Sequence, residues 1–113
     1  MVLHTQTRGD GVLIIQHPTD HLDASNAADF RSAMGDILVT QHKLVMDMSA
    51  LKFVDSSGLG ALIACLRETR KRQGDFRLAA VSRPVSTLFD LMHMHRVFSI
   101  HGTVDTAVLS YAP

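Results

Sequence analysis

Tryptophan is absent from this chain, and among its 113 residues cysteine occurs once, tyrosine once and proline three times. A single thiol cannot close an internal disulfide. Cys65 therefore points to a reducing compartment, and its place between Ala64 and Leu66 in a helical pattern reads as packing rather than as a nucleophile. With no linker-like run of proline or glycine, no internal repeat and no low-complexity tract, residues 1–113 read as one domain. Excess charge is missing too: 11 Lys and Arg offset 11 Asp and Glu. That balance leaves no basic surface of the kind nucleic acids require. The one local excess, Arg67, Arg70, Lys71 and Arg72, falls in the last turns of a helix, where the dipole favours cations and solvent takes them up. No apolar run approaches the roughly 18 residues of a membrane span, and no basic-then-apolar opening marks a signal peptide. The chain is expected in the cytoplasm.

What is present is alternation. Residues 2–7 form a first strand, Arg8-Gly9-Asp10-Gly11 a turn and Val12 to Gln16 a second strand, which together make a hairpin. After the break at Pro18-Thr19-Asp20, Asp23 or Ser25 can cap a helix whose apolar side carries Ala27, Phe30, Met34, Ile37 and Leu38. The apolar run Leu44 to Met48 has the length of a buried strand, and Lys52-Phe53-Val54 continues it toward a second helix in which Leu59, Leu62, Ile63 and Leu66 recur at helical spacing. Gly74 suits the position just past that helix. A strand at Phe76–Val81, a proline-headed helix with Val85, Leu88, Phe89 and Met92 on its apolar stripe, a short strand at Val97–Ile100 and a terminal helix through Val104, Ala107 and Val108 complete the pattern. Such alternation predicts an α/β fold: a mixed sheet with parallel strands and an antiparallel edge hairpin, covered by about four α-helices.

The junction Asp55-Ser56-Ser57-Gly58-Leu59-Gly60 concentrates the chemistry. Ser57 is placed to cap the helix through its Oγ, which leaves Ser56 free to face solvent. The catalytic alternatives fail on context. Ser56 lacks the Gly-x-Ser-x-Gly frame of a nucleophile elbow, and Asp55, being adjacent in sequence, is badly placed to act through a histidine relay. Gly58-Leu59-Gly60 carries neither the Lys-Ser/Thr of a phosphate loop nor a third glycine. Asp47 and Asp55 fall on different elements, so they make no carboxylate pair. Seven histidines suggest metal, but the rings of His93 and His95, two residues apart, would point to opposite sides of a strand, and Pro18 separates His17 from His21. No enzyme site, metal site or cofactor is expected, and a binding protein is.

The strand Leu44–Met48, the segment Phe53-Val54-Asp55-Ser56-Ser57-Gly58-Leu59-Gly60 and the alternating topology together resemble the STAS domain, and among its members the free-standing anti-sigma-factor antagonists. The resemblance extends over nearly the whole chain. Leu22-Asp23 resembles the end of the family's Gly-Glu-Leu-Asp loop, and Leu88 to Phe98 its third helix and last strand. It implies that Ser56, the serine after the aspartate, is phosphorylated by a partner that is both a serine protein kinase and an anti-sigma factor. The unphosphorylated antagonist would bind that kinase and release its sigma factor; phosphorylation would end the binding, and a serine phosphatase acting on the phosphorylated form would restore it. The implied contact surface comprises Asp23, Asp55, Ser56, Ser57, Gly58 and Leu59. Two stretches depart from the family pattern: Asp20-His21-Leu22-Asp23 lacks its glycine, and Met92-His93-Met94-His95 stands where Thr-Gly-Leu-Asp is usual. Histidine tolerates the left-handed region less well than glycine, so a changed end to the third helix is expected. The competing reading within the family is a scaffold or complex subunit, in a stress-signalling or lipid-transport assembly, whose serine is never phosphorylated.

Overall fold

The computed structural model describes residues 1–112. Strands β1 (His4–Arg8) and β2 (Val12–Gln16) form the expected antiparallel hairpin, and β2 then pairs in parallel with β4 (Lys43–Asp47), β4 with β6 (Asp75–Ala79), and β6 with β7 (Ile100–His101). The order β1-β2-β4-β6-β7 makes one five-stranded sheet. Both faces of its centre are covered, which explains why the middle strands are continuously apolar rather than alternating. Leu13, Ile15, Leu44, Met46, Phe76 and Leu78 face the core shared with helices α1 (Ala27–Leu38) and α2 (Ser56–Lys71). Val12, Ile14, Val45 and Ala79 face the opposite way, toward Ala107 of α4 (Val104–Leu109). Tyr111, just past α4, ties that helix to the sheet: its hydroxyl accepts from the Leu44 N–H and shares its own proton between the carbonyls of Leu44 and Asp75, both at 2.8 Å. Arg77 stacks 3.9 Å above the ring, and burial pushes the phenol pKa up.

Two helix ends and one strand differ from expectation. Helix α2 ends in a Schellman motif, with Gln73 N–H donating to the Arg70 carbonyl and Gly74 N–H to that of Thr69, but the left-handed residue is Gln73 (φ 65°), not Gly74. Gly74 answers another need, since a Cβ there would strike the backbone of His42. At the end of helix α3 (Arg83–Leu91), His93 takes the left-handed conformation (φ 55°, ψ 38°), so histidine performs the turn and the helix still ends there. The segment expected as a strand at Val97–Ile100 is mostly turn: a 3₁₀ helix at Met94–Arg96 is followed by Phe98, whose N–H donates to the Met94 carbonyl and whose ring enters the core beside Phe76. Only Ile100 and His101 pair as a strand with β6, the Ser99 carbonyl just before them accepting from the Leu78 N–H at 3.0 Å.

The sequence pattern gave no sign of a second, two-stranded sheet, in which β3 (His21–Leu22) pairs in parallel with β5 (Phe53–Val54). It brings the loop of Asp23 against the start of α2. The Asp20 carbonyl accepts from Lys52 N–H at 2.7 Å and Phe53 N–H at 3.2 Å, and Gly58 lies directly on the Leu22 backbone. His17, expected merely in a loop, is in that loop but only 2% exposed, packed beside Phe30 of α1. Its Nδ1 accepts from Thr19 N–H at 3.1 Å, while Nε2 has no partner among the described residues.

Two stability outcomes follow from these contacts. Gly58→Ala would drive a methyl group into the Leu22 carbonyl and should lose about 1–3 kcal/mol, whereas Gly60→Ala meets open space and should gain up to about 1 kcal/mol from helix propensity. Urea melts compare the two directly. Desolvation holds the His17 pKa below its ordinary 6.5. As pH falls from that value the unfolded chain takes up the proton before the folded one does, so stability declines toward acid. His17→Asn keeps an acceptor at the Nδ1 position without titrating, and should flatten that decline in urea melts run between pH 7 and pH 5.

Candidate functional site

Helix α2 begins at the residue expected to carry the switch, and its cap is the aspartate before it. Asp55 has extended backbone (φ −101°, ψ −173°), and its Oδ1 accepts from the Gly58 N–H at 2.9 Å. Ser57 is therefore not the cap. It occupies the second helical position, exposed, and neither its hydroxyl nor that of Ser56 forms a hydrogen bond among the described residues. Aspartate wins the competition because its second oxygen has a use that a serine hydroxyl could not serve: Oδ2 accepts from the Ala24 N–H at 3.1 Å. One carboxylate thus holds its own helix and the neighbouring loop.

That loop is organised by Asp23. Its Oδ1 accepts from the backbone N–H and the hydroxyl of Ser25, while its carbonyl accepts from the N–H groups of Asn26 and Ala27. The Ser25 hydroxyl, foremost, holds the Asp23 pKa below its ordinary value. Neither Asp23 nor Ser25 caps α1 through its side chain. Asn26 occupies that position, and its side chain instead accepts from Asp23 N–H and donates to the His21 carbonyl. The candidate contact residues accordingly divide. Ser56 and Ser57 are exposed, Asp55 and Asp23 are half-buried in the frame, and Gly58 and Leu59 are buried against it.

Beside Ser56 lies an apolar groove of about 340 Å³. It is lined by Ser56, Leu59, Gly60 and Ile63 of α2, by Leu88 of α3 and Met92 just past its end, and by Val54 and Asp55 before α2. Sequence reasoning missed it: Leu88 and Met92 have core spacing, yet Met92 is 50% exposed and its neighbour Leu91 73%. The charge near Ser56 is negative, since Asp55 and Asp23 form no ion pair among the described residues. His93 and His95 sit in a tight turn rather than a strand, with ring centroids 6.0 Å apart instead of on opposite sides. No group of three metal-ligating side chains occurs among the described residues. Cys65 is buried, and desolvation pushes its thiol pKa up to about 12, which suits packing and not nucleophilic chemistry.

The division of roles between Asp55 and Ser57 is measurable. Asp55→Ala removes both the cap and the tether and should lose about 1–2 kcal/mol, while Ser57→Ala should stay within about 0.5 kcal/mol of the parent in urea melts.

With this geometry in view, comparison with known proteins gives one answer. The family model described as the STAS domain matches residues 4–107. The anti-sigma F factor antagonist of Paenibacillus polymyxa is 26% identical over 100 residues, spanning 87% of this chain and 85% of that protein. Among solved structures, the Thermotoga maritima protein TM1081 has a TM-score of 0.88 at 22% identity, covering 98% of this chain and 95% of that one. The Bacillus cell fate determinant SpoIIAA in its phosphorylated form has a TM-score of 0.70 at 17% identity, covering 95% and 96%. At those identities the two structures speak for the fold, and the match over residues 4–107 speaks for descent: the chain belongs to the STAS domain family, among relatives that are anti-sigma factor antagonists.

Proposed function

We propose that this chain is an anti-sigma factor antagonist switched by phosphorylation of Ser56. Unphosphorylated, it binds an anti-sigma factor that is also a serine protein kinase, and the kinase gives up its sigma factor. Phosphorylation by that kinase ends the association, and a serine phosphatase restores it. The cycle belongs to the cytoplasm, where sigma factors act, and the chain contributes binding rather than chemistry of its own.

The observation that carries this reading is the position of Ser56: exposed, unbonded, at the first residue of α2 and on the lip of an apolar groove. A phosphate there adds about −1.5 to −2 charge at a helix N-terminus, where the fold tolerates an anion. The surrounding carboxylates offer that charge no counter-ion, so its burial under a partner is unfavourable. Ser57 is equally free of hydrogen bonds but does not line the groove, so lip position, and not cap occupancy, singles out Ser56.

Incubation with the cognate kinase and Mg-ATP, followed by site mapping, should place phosphate on Ser56; phosphate on Ser57 alone would reverse the assignment. In calorimetric titrations against the kinase, Ser56→Ala should bind like the parent. The phosphoprotein should bind roughly hundreds-fold more weakly, and Ser56→Asp, with about half the charge, should fall between them. Equal affinities for all four forms would favour the scaffold reading.

A further inference from the structure

We infer that the groove between α2 and α3 receives an apolar side chain of the kinase, with a kinase carboxylate set against the Met92–Arg96 corner; this deepens, and rests on, the assignment of Ser56 as the switch. The two glycines after the serines have opposite surroundings. Gly58 is required by the backbone of Leu22, but a Cβ at Gly60 would meet nothing within 4 Å. Glycine is a poor helix residue, and no packing among the described residues accounts for this one. What Gly60 does is keep one wall of the groove low.

Ser56 is itself a lining residue of the groove, so an occupant lying in it sits against that serine. Its walls are apolar, and the exposed Leu91 and Met92 extend the apolar rim along α3. The charge around it is uneven. Asp55 is part of the lining, while the turn that follows the lining residue Met92 carries the exposed His93, His95 and Arg96, and Arg96 forms no ion pair among the described residues. The complementary segment is therefore an apolar side chain flanked by a carboxylate toward α3, with no carboxylate facing Asp55. A second copy of this chain would set groove against groove and leave both unfilled. A Ser56 phosphate would stand on the lip of an occupied groove, which explains how one modification could expel a partner without altering the fold.

Gly60→Leu tests this, because leucine fills the groove from an exposed helical position that favours larger residues. Its urea midpoint should not fall below that of the parent, yet its affinity for the kinase should drop at least roughly tenfold, with Gly60→Ala intermediate. Arg96→Glu should weaken binding several-fold and reduce its sensitivity to salt. If Gly60→Leu binds like the parent while Ser56→Asp does not, the groove is overturned and the switch stands. If the parent and Ser56→Ala both fail to bind the kinase, the switch falls and the groove assignment with it. If the parent sediments as a dimer that Gly60→Leu dissociates, the occupant is a second copy and the assignment to the kinase is wrong.

Discussion

The Asp55 carboxylate connects the two halves of the site. One oxygen holds the first turn of α2 through Gly58, and the other holds the Asp23 loop through Ala24. Each bond taken alone is an ordinary charge-assisted contact. Together they fix the angle at which a loop and a helix meet, and Ser56 stands at that angle. The small β3–β5 sheet and the close approach of Gly58 to Leu22 press the same two segments together from beneath. Ser56, the residue proposed to be phosphorylated, is thus mounted on a frame to which its side chain contributes no hydrogen bond among the described residues.

The separation matters for the physics of a switch. A modified residue that also maintained the fold would couple signalling to unfolding, and each phosphorylation would disturb the core. Here Asp55 caps, Gly58 packs, Leu59 anchors, and the Ser56 side chain has no hydrogen bond among the described residues to lose. A change of charge at Ser56 remains a change at the surface. The apolar groove beside it offers contact area, and the serine lies where that area meets water.

The overall layout was legible in the sequence because buried parallel strands and amphipathic helices leave strong periodic traces. The hairpin, the Leu44 strand, all four helices and the serine-bearing turn before α2 appeared where expected to within a few residues. The failures share a cause. Asp55 and Ser57 are both good caps in isolation, and only Ala24, 31 residues earlier, decides between them. Gln73 and His93 adopt conformations usually left to glycine at turns closed by backbone hydrogen bonds, from Gly74 N–H to the Thr69 carbonyl and from His93 N–H to that of Asp90, which no local residue preference announces. The strands β3 and β5, two residues each, are too short for periodicity, and the burial of His17 depends on Phe30 across the fold. The groove was hidden for the same reason: Leu88 and Met92 have the spacing of core residues, and only the tertiary arrangement shows Leu88 half-buried and Met92 half-exposed beside an open groove.

Within the main sheet, every strand lies beside the one that precedes it in the chain. A chain emerging from a ribosome can therefore lengthen this sheet at a single edge, adding one strand at a time, without waiting for a later segment to be inserted between two earlier ones. The reverse face is the exception. Val12, Ile14 and Val45 are made early but remain uncovered until α4 emerges, and Tyr111 then reaches back to Leu44. During synthesis the nascent domain has a finished side and a bare one, and it is in that interval that its apolar surface is most open to chaperones and to its neighbours.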